Sequence, residues 1–198
     1  MNEYKRLMTK QHAIVLYALK SHDQRVVLLD AHHGKVSCFI HNKELPFGAH
    51  IEYQLVQKRK YYTAVSINVI RMPFVIAQED ISFLHHVLEL CYHFIPEGTC
   101  ASDVFALVSF IYSSGERLKC SLSKKLYLSK LFILLGMYPE EPNMQSHHWQ
   151  LLLTQPIEVI LVQLADEAIE CELNIWLRSC VQVHPLAHTF KTLGFLNT

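Results

Sequence analysis

The spacing of the apolar residues changes near residue 72, and this change constrains the fold more than any other feature of the sequence. Upstream, apolar and polar residues alternate in short runs. Downstream, apolar residues recur at steps of three and four, beginning with Ile81, Leu84, Leu88, Cys91 and Ile95. Alternation is typical of half-buried strands, and steps of three and four mark one face of a helix. We therefore expect a small β-domain, residues 1–72, followed by an all-α helical domain, residues 73–198.

The first part contains five segments with the composition and alternation of strands. They cover residues 12–19, 25–31, 35–40, 50–57 and 61–70. Five short strands joined mostly by brief turns predict a small antiparallel β-barrel, with the OB-fold as the leading candidate and an SH3-like barrel as its competitor. An OB-fold usually places a helix between its third and fourth strands, and here only the loop 42–48 is available.

The second part predicts a bundle of helices. The first helix, 81–95, ends before Pro96 and Gly98, and Ser102 can cap the next one. A third helix, 121–135, is apolar almost all round, so we expect it to run through the middle of the bundle. Further helical segments are predicted at 149–153, 157–169, 173–180 and 185–195. The predicted fold class is therefore α+β, with an OB-fold barrel followed by an all-α domain.

The charges are divided unevenly between the two parts, although the chain as a whole has a formal net charge of zero. Residues 1–72 hold 11 Lys and Arg against 5 Asp and Glu, a net charge of +6. Residues 73–198 hold 7 against 13, a net charge of −6. This asymmetry indicates that the β-domain meets a polyanion. The alternative is that two separately soluble halves attract each other.

The sequence contains no recognisable catalytic motif. It lacks a G-x-S-x-G, a P-loop and a G-x-G-x-x-G. Four carboxylates crowd one segment, Asp166, Glu167, Glu170 and Glu172, but no histidine motif accompanies them, and a solvated helix face explains them better. We therefore predict that the protein is not an enzyme and uses no cofactor.

The cysteines and histidines do not predict a metal site. None of the six cysteines forms a C-x-x-C pair, and Cys91 and Cys171 fall on apolar helix faces, which favours reduced thiols in a cytosol. Adjacent histidines point in different directions and chelate poorly. His147 and His148 could join His184 or His188 around zinc, but ordinary surface histidines explain the pattern. No apolar run approaches the ~20 residues that span a bilayer, so a cytoplasmic protein is expected.

The basic residues of the β-domain give the strongest functional signal. Cations follow phosphates and aromatic rings stack on bases, and single-strand binders combine the two. The predicted DNA-binding residues are Lys20, Arg25, Lys35, Lys43, Lys58, Arg59, Lys60, Tyr61 and Tyr62. For the triplet 58–60 the alternative is a merely soluble hairpin tip, with one of the two following tyrosines in the core.

A possible second basic patch opens the third helix of an otherwise acidic half. Its members are Arg117, Lys119, Lys124 and Lys125. Cations at a helix N-terminus oppose the helix dipole, so a reason other than helix stability is expected for them. The patch could extend a DNA track or bind an acidic peptide.

Several segments also follow one another in a familiar order. They are 13–16 and 25–29, His33-Gly-Lys-Val36, 83–98 followed by Val104-Phe105, and Leu131–Gly136 with Pro139. This order resembles RecO, the bacterial family of DNA repair and recombination mediators. The resemblance implies an N-terminal OB-fold, a helical C-terminal domain, binding of single- and double-stranded DNA, strand annealing, and help in loading RecA.

The resemblance also implies partners and some departures from the family. The implied partners are RecR and the acidic C-terminal tail of single-stranded-DNA-binding protein. Lys35 and, more loosely, Lys43 match basic barrel positions. Many members carry a zinc module of two C-x-x-C pairs after the Gly-x-x-Pro step, whereas here residues 140–149 contain no cysteine, which indicates a short member without zinc. The alternative function is a protein-interaction module whose two domains dock acidic peptides or other proteins.

Overall fold

The computed structural model describes residues 5–6, 9–18, 24–41, 44–58, 61–114, 118, 120–138, 146–163 and 167–196. In this part of the chain the strands are β1 Lys5–Arg6, β2 Gln11–Ala18, β3 Gln24–Asp30, β4 Gly34–Ile40, β5 His50–Lys58 and β6 Tyr61–Arg71. The helices are α1 Phe74–Phe94, α2 Ser102–Ile111, α3 Ser121–Leu134, α4 Ser146–Thr154, α5 Ile157–Gln163, α6 Glu167–Gln182 and α7 Thr192–Phe195. The predicted class, a barrel followed by helices, is confirmed.

Strands β2 to β6 form a closed five-stranded barrel. β2 pairs with β3 and with β5, and β3 pairs with β4, all antiparallel. β6 closes the barrel, because it pairs antiparallel with β5 and parallel with β4 through Cys38↔Tyr62 and Phe39↔Thr63. The two-residue strand β1 extends the sheet beside β5. The five-stranded Greek-key order is that of an OB-fold, so the leading fold prediction is confirmed over the SH3-like barrel.

The loop between β4 and β5 fills the place where an OB-fold usually carries a helix. Its described residues, 44–49, contain no helix. Leu45 and Ala49 are nevertheless buried in the barrel core. Backbone hydrogen bonds of 2.9 Å from Val15 N–H to the Ala49 carbonyl and from Gly48 N–H to the Val15 carbonyl fasten the loop to β2. The loop therefore contributes two apolar side chains to the barrel core.

A buried carboxylate shapes the turn between β3 and β4. Asp30 is fully buried, and its Oδ1 accepts the backbone N–H groups of His32 and His33 at 2.8 and 2.7 Å. Its Oδ2 accepts the hydroxyl of Tyr53 at 2.8 Å. Burial and the nearby carboxylate raise the pKa of Tyr53, so the hydroxyl remains a donor. The turn ends at Gly34, whose φ of 69° is a positive value that glycine adopts without steric cost.

The chain divides into two compact units that interleave in sequence. One comprises Met1–Phe74 and Leu88–Ser109, and the other comprises Val75–Val87 and Phe110–Thr198. The last third of α1 and most of α2 therefore belong with the barrel. The boundary predicted after residue 72 follows the change from strands to helices, whereas the compact units follow packing.

Helix α1 begins earlier than the predicted residue 81. Its backbone is extended at Asp80, with φ −159° and ψ 92°, so the helix has a kink there. The Asp80 carboxylate accepts the backbone N–H of Phe83 at 2.9 Å, which is the hydrogen bond of an N-cap. The predicted helix 81–95 thus corresponds to the segment after the kink, and the short segment before it was not predicted.

Helix α3 lies at the centre of the second unit, as predicted. It packs against α4, α5 and α6, and it is buried along most of its length.

The prediction for residues 185–195 was wrong, because the structure has only a 3-10 turn, Ala187–Thr189, and the short α7 there. The six cysteines are free, with Cys91 buried as expected but Cys171 exposed. None of the described helices is both long and apolar enough to cross a membrane.

Candidate nucleic-acid interface

An exposed group of one cation and three aromatic side chains lies at one end of the barrel. We call it the tip cluster: Arg25, Phe39, Tyr61 and Tyr62. On β4 the residues Val36, Cys38 and Ile40 point into the barrel, so the alternation places Phe39 on the outside. Arg25 is exposed and stands opposite Phe39 in the β3–β4 ladder. The tip cluster is therefore built on three neighbouring strands.

Two of the three aromatic rings of the tip cluster are open to solvent, and the third, Phe39, is half-buried. The ring centroids of Phe39 and Tyr61 are 5.5 Å apart and the rings meet edge-on at 78°. Tyr61 is 49% exposed and Tyr62 is 39% exposed. Burial on β6 begins only at Thr63 and Ala64. Neither tyrosine lies in the core, contrary to the alternative considered from the sequence. Tyr61 presents its ring beside Phe39, whereas alternation along β6 turns Tyr62 to the side of the core residue Ala64.

The tip cluster stands where two connections leave the barrel. β2 ends at Ala18 and β3 begins at Gln24, while β5 ends at Lys58 and β6 begins at Tyr61. Six predicted basic residues lie outside the described residues: Lys20, Lys43, Arg59, Lys60, Arg117 and Lys119. Lys58 pairs with Tyr61 in the β5–β6 ladder, so the cationic triplet 58–60 joins the tip cluster along the chain.

Lys35 has a different role from Arg25. Its Nζ donates to the carbonyl oxygen of Tyr92 at 2.7 Å and lies 5.6 Å from the centroid of the Tyr92 ring. Burial lowers the pKa of Lys35, and the Glu97 carboxylate partly opposes this. The last carbonyls of a helix lack partners within the helix, and a positive charge stabilises that end. Lys35 therefore caps the C-terminal end of α1 rather than standing free on the barrel.

The described lysines of the predicted second patch are both engaged with carboxylates. Lys124 Nζ lies 2.5 Å from Asp80 Oδ2, and Lys125 Nζ lies 2.5 Å from Glu170 Oε1. Lys125 is only 2% exposed. The sequence indicated that a reason other than helix stability keeps cations in the first turns of α3. For these two lysines the ion pairs supply such a reason. Neither lysine is presented as a free cation.

The pKa values of the two carboxylates reflect these pairs. Burial raises the pKa of Asp80, but hydrogen bonds from Lys124 and from the Phe83 N–H outweigh it, and the net pKa is lowered. A hydrogen bond from Lys125, and then one from Ser121, lowers the pKa of Glu170. Both carboxylates are therefore held in the charged form by their lysines.

The end of α1 and the chain that follows it cover part of the outer face of β3 and β4. Val27 and Leu29 are buried although they alternate with core residues. Tyr92 contacts Tyr17 of β2 at 5.5 Å between ring centroids and Lys35 of β4, so it lies over β3 between them. Gly98 N–H donates to the Lys35 carbonyl at 3.0 Å. This face is therefore covered near Lys35 and open at the tip cluster.

Phe39 is the member of the tip cluster that the sequence reasoning missed. The pattern of charges points to Lys35 on the same strand. The sequence signal for Phe39 is its outward position in an alternating strand. A large aromatic residue at such a position is either covered or available to a ligand. Here it is half-buried and in contact with the exposed Tyr61.

Comparisons with known proteins do not assign the chain. No protein-family model matches it, and no curated protein matches it. Within the described ranges, no group of three or more His, Cys, Asp or Glu side chains is arranged to hold a metal ion. The barrel and its tip cluster are therefore the features of the molecule that bear on its function.

Proposed function

We propose that this protein is a non-enzymatic DNA-binding recombination mediator of the RecO type. In this role it binds single- and double-stranded DNA, promotes annealing of complementary strands and helps to load RecA during recombinational repair. The partners that belong to the proposal are RecR and the acidic tail of single-stranded-DNA-binding protein. The observation that carries the proposal is the tip cluster on a basic OB-fold barrel.

The position of the tip cluster supports DNA binding. OB-folds bind oligonucleotides on the face of their second and third strands and on the connections after the first and fourth strands. In this barrel those strands are β3 and β4, which carry Arg25 and Phe39. The corresponding connections are 19–23 and 59–60, and they contain Lys20, Arg59 and Lys60.

The chemistry of the tip cluster also fits a nucleic acid. Every base has a π-face, and stacking on an aromatic side chain contributes about 1–3 kcal/mol per base. The net charge of +6 over residues 1–72 attracts phosphates, and binding then releases counterions. The exposed rings supply stacking and the surrounding cations supply affinity that depends on salt.

The alternative function, docking of acidic peptides or other proteins without DNA binding, has one observation in its favour. Lys35, Lys124 and Lys125 have intramolecular partners, which reduces the cationic surface available to a long polyanion. The tip cluster distinguishes the two functions, because a base-stacking ring matters to DNA and an acidic peptide needs only the charges.

The test is fluorescence anisotropy of a labelled single-stranded oligonucleotide at several salt concentrations. Tyr61→Leu removes the ring and should weaken binding about ten-fold without changing the dependence on salt. Arg25→Gln should weaken binding and reduce the slope of log affinity against log salt by about one. Tyr61→Phe keeps the ring and is the matched control, expected to bind like wild type.

Two results would contradict the proposal. Absence of binding to single- and double-stranded DNA even at low salt would reject it. Binding that is insensitive to Tyr61→Leu, combined with equal binding of a polyglutamate peptide, would favour the protein-interaction module instead.

A further inference from the structure

We infer that the DNA site extends beyond the tip cluster to a second base-stacking position formed by Tyr17 and Tyr92, so that this face of the barrel takes an unpaired strand. The inference rests on the proposed function and specifies its substrate at this surface. It concerns a helix residue, Tyr92, and a strand residue, Tyr17, that the sequence did not single out.

The two tyrosines form an aromatic pair in which Tyr17 is exposed and Tyr92 is half-buried. Tyr17 stands near the end of β2 and is 41% exposed. The planes of the two rings meet at 43° with 5.5 Å between centroids, so they do not stack face to face. Because Lys35 and His93 also contact the Tyr92 ring, the ring surface offered to a base is that of Tyr17, and Tyr92 supports it. Lys35 holds Tyr92 through its carbonyl oxygen and also lies over its ring.

The ladder registers place this pair close to the tip cluster. Tyr17 pairs with Val27, and Val27 lies two residues from Arg25 on the same strand. Arg25 in turn pairs with Phe39. Two strand spacings and one two-residue step separate Tyr17 from Phe39, which is roughly 12 Å. Arg25 lies between the two aromatic groups, where a guanidinium can contact the phosphate that joins two stacked bases.

This spacing selects an unpaired strand. In a duplex each base is already stacked on its neighbours, so its faces are not available to two separate aromatic groups. An unpaired strand can turn its bases outward and cross roughly 12 Å with a few nucleotides. Among the described residues, Glu97 places a carboxylate on the β4 side, where it accepts a hydrogen bond from Ser37. Tyr17 lies on β2, on the other side of β3.

The experiment is anisotropy of the full chain with oligothymidylates of about 4 to 16 nucleotides, the range of OB-fold site sizes. We expect Tyr17→Leu to weaken binding of the long oligonucleotides about ten-fold and to leave the shortest ones unchanged. Tyr61→Leu should weaken binding at every length, because it removes the first stacking position. Tyr17→Phe keeps the ring and should bind like wild type.

The outcomes separate this inference from the proposed function. If Tyr17→Leu binds long oligonucleotides like wild type while Tyr61→Leu binds weakly, the second position is rejected and the proposed function stands. If wild type binds no oligonucleotide of any length, the proposed function itself fails.

A second measurement on unmodified protein guards against a folding defect in Tyr17→Leu. Oligonucleotides carrying 4-thiothymidine are cross-linked by light, and the adducts are located by mass spectrometry. Adducts on peptides containing Tyr17 or Tyr92 are the expected result. Adducts confined to peptides containing Tyr61 would overturn the inference.

Discussion

The tip cluster and the internal lysines use the same kind of residue for opposite purposes. Arg25 is exposed beside open aromatic rings. Lys35 caps a helix, and Lys125 is buried against Glu170. A positive charge on the surface attracts a polyanion, whereas a charge taken out of water needs a fixed partner within the protein. The comparison teaches that a cation's role depends on its burial and its partner.

The largest effect is expected where the fold holds Lys35 in place. An added Cβ at Gly34 would lie 1.6 Å from the Thr99 carbonyl oxygen, and the φ of Gly34 is 69°. Gly34→Ala must therefore separate β4 from residues 97–99, and we expect a loss of about 3 kcal/mol or more in unfolding free energy. Urea denaturation followed by circular dichroism measures it.

Gly98→Ala is the matched control for that substitution. Gly98 also has a positive φ, 74°, but an added Cβ would meet nothing within 4 Å. It should cost only the backbone strain, about 1–2 kcal/mol. Equal losses for the two variants would show that the approach of Thr99 to Gly34 does not matter.

The next effect separates an internal lysine from the tip cluster. Lys125→Met keeps most of the packing and removes the ion pair with Glu170. Because Glu170 is 32% exposed and can regain water, we expect a loss of about 1–2 kcal/mol, below the range for a fully buried pair. Urea denaturation and DNA anisotropy are measured together: Lys125→Met should change stability and leave affinity unchanged, and Arg25→Gln should do the reverse. If Lys125→Met is fully folded and still binds DNA more weakly than wild type, Lys125 belongs to the DNA interface after all.

The positions of the barrel strands could be predicted from the sequence, whereas the roles of the individual lysines could not. Alternation located the barrel strands to within a residue or so; the predicted 61–70 is Tyr61–Arg71, and the predicted 50–57 is His50–Lys58. These signals are local. The partner of Lys35 is 57 residues away and that of Lys125 is 45 residues away. Side-chain roles set by such distant contacts are invisible in a local pattern of charge.

A similar limit applies to the tip cluster. Tyr61 and Tyr62 could be proposed because they follow a cationic triplet directly. Phe39 joins them only through the parallel pairing of β4 with β6, which depends on closure of the barrel. The helix predicted for residues 185–195 was wrong for another reason. Pro185 and Gly194 are poor helix formers, so the apolar residues between them do not sustain a long helix.

A smaller effect is expected from pH. The pKa of Glu170 is lower in the folded protein than its ordinary value because of the hydrogen bonds from Lys125 and Ser121. The unfolded state then binds more protons in acid. The stabilisation is complete above the ordinary carboxyl pKa and is lost as pH falls through the lowered one. The difference in unfolding free energy between wild type and Lys125→Met should therefore shrink in acid. A difference that stays constant with pH would show that the ion pair does not contribute.

The smallest effect concerns Glu97, a described carboxylate on the β4 side of the proposed strand path. Glu97→Gln keeps an oxygen that can accept the Ser37 hydroxyl but removes the negative charge. Glu97 is exposed, so screening limits its repulsion of phosphates, and we expect single-strand affinity to rise only about two-fold at low salt. Anisotropy measures the affinity, and the gain should disappear at high salt. A gain that persists at high salt would indicate a new contact instead, and a loss of affinity would place Glu97 among the groups that position Lys35 and Tyr92 for the strand.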